Sequence, residues 1–126
     1  AISGVEAGWG GPLAKEHGVW FGQTAPSAGP GTVTRGVKGT TYHYPTFPDY
    51  RAAAIAFARN LETHSAYRSA WPYRDDPEDY LRRIGRAYSG GKPKYADELI
   101  GIVRSFDLTV FDRLTFMDLY LMGAAA

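Results

Sequence analysis

Among the acidic residues of this chain, one stands in a setting that suggests chemistry. Glu6 lies in Val5-Glu6-Ala7-Gly8-Trp9-Gly10-Gly11, ahead of a tryptophan set among glycines. The pattern predicts a helix end over residues 1–7 with Gly8 as its terminator, since glycine takes up the left-handed conformation that closes helices. Glu6 then falls in the last turn, at the negative end of the helix dipole, a place that favours a carboxyl group in its protonated form. A carboxylic acid that keeps its proton near neutral pH is the general acid that glycosidic cleavage requires. Trp9 offers a flat face for a sugar ring, and the glycines let a bulky ligand approach the backbone. The same residues also describe an exposed helix-end glutamate beside a core tryptophan. Residue types alone leave both readings open.

Other constellations fall away. The three histidines, His17, His43 and His64, show no metal-ligand spacing and no partner carboxylate at helical distance, so neither a metal site nor a cofactor is expected. Gly36-Val37-Lys38-Gly39-Thr40-Thr41 is a turn and not a phosphate cradle, and no serine sits in a nucleophile elbow. With no cysteine, thiolate catalysis, disulfides and cysteine-ligated zinc are excluded. Lys+Arg 14 against Asp+Glu 13 leaves a net charge of +1, without the basic excess of a nucleic-acid binder. No apolar run approaches the roughly 18 residues that a membrane-spanning helix needs.

The elements that must position Glu6 can be read from periodicity. With 126 residues and 44% hydrophobic side chains, one folded domain over 1–126 is expected. Residues 31–48 read as a β-hairpin: GTVTR and TTYHY are rich in Thr, Val and Tyr, Gly36-Val37-Lys38-Gly39 separates them, and Pro45 and Pro48 close it. Residues 25–31 read as a loop or lid. A helix is predicted over 49–64, with Asp49 as its N-cap and Tyr50, Ala54, Phe57 and Leu61 on one face. A second begins at Asp76-Pro77, buries Tyr80, Leu81, Ile84, Ala87 and Tyr88, and stops at Ser89-Gly90-Gly91. A third follows Pro93 with Tyr95, Leu99, Val103 and Phe106 inward, and a fourth covers 110–122 with Val110, Leu114, Met117 and Leu121 inward. The layout is α+β and mainly helical, with one small β-hairpin lobe, of lysozyme type.

Three runs in order, Glu6-Ala7-Gly8-Trp9-Gly10, Ala14-Lys15-Glu16 and Val19-Trp20-Phe21-Gly22, carry a resemblance. They resemble the glucosaminidase family, glycoside hydrolase family 73, with its E-S-G-W-G-like run, A-K-E and N-L-F-G. Further on, Tyr44 to Phe57, Ala66-Tyr67, and Ala87-Tyr88 through Tyr95-Ala96 are similar to later features of that family, so the resemblance spans about residues 1–106. It implies a lysozyme-like fold and hydrolysis of the β-1,4 bond between N-acetylglucosamine and N-acetylmuramic acid in peptidoglycan. It makes Glu6 the general acid and sets Tyr88 beside the reacting sugar. Trp9 and Trp20 become candidates for sugar subsites. The implied partner is the glycan strand of the cell wall, and the implied compartment is periplasmic or extracellular.

The departures from that pattern shape the mechanism. Many family members carry a second acidic residue in the hairpin, whereas the span from Gln23 to Pro48 has neither Asp nor Glu. Two routes stay open: the substrate's own 2-acetamido group serves as nucleophile, or a distant carboxylate, Glu16 or Asp49, activates water. Thr34, Tyr42 and His43 are the candidates for orienting the acetamido group or the water. The family also has helical residues before the glutamate, so the chain is expected to be a trimmed piece, with 107–126 as an extra C-terminal helix. Alternative readings are a muramidase or lytic transglycosylase on the same polymer, or a non-catalytic glycan-binding domain. A compact hydrolase of this kind also suits an antibacterial effector, which would imply a cognate inhibitor protein.

Overall fold

The computed structural model describes residues 2–113 together with Asp118 and Leu121. The fold is α+β and mainly helical, with a single two-stranded antiparallel hairpin among the described residues. The chain divides into two compact units, Ala1–Pro72 and Tyr73–Ala126.

The first unit opens with two short helices, α1 (Ile2–Ala7) and α2 (Pro12–His17). Helix α2 was not expected from periodicity. It is only six residues long, and its signals are a proline in the first turn and Gly18 at its C-terminal end. Gly18 has φ 68°, and a side chain there would collide with the Phe47 carbonyl. The Phe47 N–H also donates to the His17 carbonyl at 3.1 Å, which ties the end of α2 to the chain leaving the hairpin.

The hairpin pairs β1 (Thr32–Val37) with β2 (Thr40–Pro45), so the first strand runs two residues further into the turn than expected while the second starts at Thr40 as expected. Lys38 and Gly39 make the turn with φ 49° and 80°, the double left-handed geometry whose twist matches flanking strands. The register pairs Val33 with Tyr44, Arg35 with Tyr42 and Thr34 with His43. By strand alternation, Val33, Arg35, Tyr42 and Tyr44 share one face, while Thr34 and His43 occupy the other.

Helix α3 (Tyr50–Thr63) is capped as expected, the Asp49 side chain accepting from the Ala52 N–H at 2.7 Å. Its buried stripe is Ala53, Phe57 and Leu61, so Tyr50 is displaced from the core face and half exposed. Phe21 stacks on Phe57 with centroids 4.4 Å apart and completes a core with Ala14, Val19 and Ala70.

The second unit is built on a helical hairpin of α4 (Pro77–Tyr88) and α5 (Tyr95–Ser105). Asp76 caps α4, accepting from the Glu78 and Asp79 N–H groups. The core consists of Tyr80, Leu81, Ile84, Tyr95, Leu99, Ile100 and Val103. Gly85 lets α5 approach, because a Cβ there would stand 2.9 Å from the Ala96 Cβ. Arg104 grips Glu78 with two hydrogen bonds of 2.7 Å, joining the start of α4 to the end of α5.

Ala87 and Phe106, expected inward, are exposed. Residues Leu108–Arg113 form a 3-10 helix where the fourth α-helix was expected to start, Asp118 and Leu121 are α-helical as expected, and Val110 and Leu121 are exposed. Leu114, Met117 and Met122 lie outside the described residues. Among the described residues no helix is long and apolar enough to cross a membrane.

Candidate active site

Glu6 is exposed in the last turn of α1, as the terminating glycine implied. Its side chain enters a pocket of about 220 Å³ within the first unit. Ala7, Gly11, Pro12 and Leu13 form one wall, Val19 and Gly22 line the pocket with them, and the hairpin contributes Arg35 and Tyr44. Glu6 is the only carboxylate among these lining residues.

The room for that carboxylate comes from Gly22. A Cβ on Gly22 would stand 2.7 Å from Oε2 of Glu6 and 3.3 Å from its Cβ. The same residue has φ 63°, in the left-handed region that a side chain disfavours. Conformation and space thus demand glycine here independently.

Arg35 and Tyr44 reach the pocket because alternation sets them on one face of the hairpin. Burial foremost, then the neighbouring Tyr42, pushes the Tyr44 phenol above its ordinary value; Arg35 pulls it down and the charge of Glu6 adds to the rise. The phenol therefore stays protonated through the neutral range and can donate a hydrogen bond into the pocket. Arg35 supplies a fixed positive charge. The pocket thus combines one carboxyl group, one guanidinium and one phenol.

The sequence-derived candidates separate under this geometry. Tyr42 shares the hairpin face with Arg35 and Tyr44, its ring 6.2 Å from that of Tyr44. His43 points to the opposite face, where its Nδ1 lies 2.8 Å from the Thr34 hydroxyl. His43 and Thr34 are therefore a cross-strand pair and not orienters within the Glu6 pocket. Trp9 does not line the pocket either. Its indole lies over Gly4, where a Cβ would stand 2.7 Å from the ring, and the residue stays 66% exposed with φ 56°. A tryptophan held in that conformation costs about 1–2 kcal/mol.

Trp20 is half-buried and meets Tyr50 edge-on at 5.3 Å, so it belongs to the aromatic cluster above α3. Tyr88 belongs to the second unit, where its ring stacks on Tyr95 at 6.1 Å. The two distant carboxylates have other occupations: Asp49 caps α3, and Glu16 is exposed on α2 with His17 3.8 Å away. Neither lines the pocket.

Arg35, Tyr44 and Gly22 were missed from sequence. The period-2 alternation starting at Tyr42 was the signal for Tyr44, and the two-residue turn was the signal for Arg35. Comparison with known proteins adds no further constraint: no family model, no curated protein and no solved structure matches the chain.

Proposed function

We propose that this chain is a lysozyme-like peptidoglycan hydrolase of the glucosaminidase type, an endo-β-N-acetylglucosaminidase with Glu6 as its general acid. The observation that carries the reading is the Glu6 carboxylate at the end of α1, in a pocket that Gly22 keeps open and that the Arg35 and Tyr44 side chains close from the hairpin. Glu6 donates its proton to the leaving glycosidic oxygen as the bond to the anomeric carbon breaks. The pocket lining has no second carboxylate to act as nucleophile or base. The substrate's own 2-acetamido oxygen therefore attacks the anomeric carbon, and water later opens that ring and returns a proton to Glu6. Tyr44 and Arg35 hold the acetamido group and the sugar hydroxyls for this attack. Tyr42, exposed on the same face, offers its ring to a neighbouring sugar.

A second reading has its own support in the single carboxylate of the pocket. A lytic transglycosylase also works with one glutamate: the C6 hydroxyl of the muramic residue attacks in place of the acetamido oxygen and leaves an anhydro end. Both readings require peptidoglycan as substrate and act in the bacterial cell envelope or outside the cell. Either chemistry would suit an antibacterial effector held in check by an inhibitor seated over the Glu6 pocket. The first test is release of soluble fragments from purified peptidoglycan. Wild type is expected to release them, with Glu6→Gln reduced by about 10²–10⁴-fold. Equal release by both would remove Glu6 from the chemistry, and no release by wild type would leave a glycan-binding domain.

A further inference from the structure

The second unit holds a recess of about 210 Å³ between the C-terminal half of α4 and the start of α5. Its lining is Arg82, Arg86, Lys92, Pro93, Ala96 and Asp97. Arg82 and Arg86 stand one helical turn apart on α4, and Arg82 is engaged with Glu78 at 3.3 Å. Arg86 and Lys92 form no ion pair among the described residues. The loop between the helices holds Lys92 next to them. The Gly91 N–H donates to the Arg86 carbonyl at 2.9 Å, and the Lys92 carbonyl accepts from the Tyr95 N–H at 3.3 Å and the Ser89 hydroxyl at 3.4 Å.

Three cations, two of them without an ion-pair partner among the described residues, and one carboxylate thus line a single recess. A phosphate would satisfy the cations but bring its negative charge up to Asp97. The matching ligand carries two carboxylates and one ammonium. That is the charge pattern of diaminopimelate at the end of a tripeptide stem, whose α-carboxylate and distal carboxylate and ammonium are all free. We propose that this recess binds the diamino-acid terminus of a peptidoglycan stem peptide, Arg86 and Lys92 taking the carboxylates and Asp97 the ammonium. The proposal rests on the reading of the chain as a peptidoglycan hydrolase.

The experiment is calorimetric titration of the full chain with free L-alanyl-γ-D-glutamyl-diaminopimelate, beside a digest of peptidoglycan by the same preparation. Saturable binding is expected, weakened at least about tenfold both in the Arg86→Gln/Lys92→Gln double variant and in Asp97→Asn. The lysine-terminated peptide, which lacks one carboxylate, is expected to bind more weakly than the diaminopimelate peptide. Asp97 is exposed, so its amide variant tests the ammonium contact without disturbing the core. Binding unchanged in these variants, or inorganic phosphate displacing the peptide at equal concentration, would overturn the proposal. Digestion without peptide binding would overturn this proposal alone. Peptide binding without digestion would keep the recess as a peptide site and remove the hydrolase reading.

Discussion

The carboxylate of Glu6 occupies its pocket because residue 22 lacks a side chain, and this makes Gly22 as informative a target as the glutamate itself. Gly22→Ala places a methyl carbon 2.7 Å from Oε2 of Glu6 and forces alanine into φ 63°. The backbone term costs about 1–2 kcal/mol. If Glu6 is the proposed general acid, the variant is expected to stay folded by circular dichroism yet lose most activity, because the carboxylate would be displaced from the scissile oxygen. A folded Gly22→Ala variant with wild-type turnover would show that the position of Glu6 in the pocket is immaterial. Tyr44→Phe keeps the ring and removes the donor, and a fall of about tenfold in turnover is expected for a hydrogen bond used in the transition state.

At the scale of elements, the chain advertises its boundaries better than its faces. Asp49 and Asp76 were legible as caps and Pro77 as a first-turn residue, because these signals are local and chemical. Asp49→Ala is expected to lower stability by about 1 kcal/mol, measured by urea unfolding. Phe57 and Leu61 face inward as expected, but at the start of α3 the stripe falls on Ala53 and not on Ala54 or Tyr50, because a run of alanines gives no contrast there. Helix α2 escaped notice because six residues are too few for a periodic stripe. The hairpin is legible from its Thr, Val and Tyr runs, but the place of Arg35 and Tyr44 at the Glu6 pocket is not, because only the register brings them to that side.

The clasp between α4 and α5 also sets a pH dependence. Hydrogen bonds from Arg104 foremost hold the Glu78 carboxyl below its ordinary value of 4.5. A carboxylate depressed in the fold contributes stability that is complete above that ordinary value and is lost as pH falls through the lower, folded value. Glu78→Gln is therefore expected to melt below wild type at pH 7, with the gap closing below about pH 4.5. A gap that stays constant down to pH 2 would show that the clasp adds nothing through its charge.

On the scale of the molecule, each unit has an apolar centre of its own, Phe21 and Phe57 in the first, Ile84 and Leu99 in the second. Phe57→Ala is expected to cost about 3–5 kcal/mol and Leu99→Ala about 2–5 kcal/mol. Hydrogen exchange should report the loosening within residues 1–72 for the first variant and within 73–113 for the second. The general layout of helices and one hairpin was readable because amphipathic stripes and turn residues are written locally. No linker composition marks the chain near Pro72, where the first compact unit ends.

The central claim, that Glu6 protonates a glycosidic oxygen in peptidoglycan, is tested most directly at the new chain ends. Purified peptidoglycan is digested with wild type and with Glu6→Gln, reduced with borohydride, and the fragments identified by mass spectrometry. Reduced N-acetylglucosamine ends are expected in the wild-type digest and are expected to be lost in the variant. Reduced muramic or anhydro ends lost in the variant would keep Glu6 and move the bond or the product to the muramidase or transglycosylase reading. No new ends from wild type, or the same ends from Glu6→Gln, would contradict it.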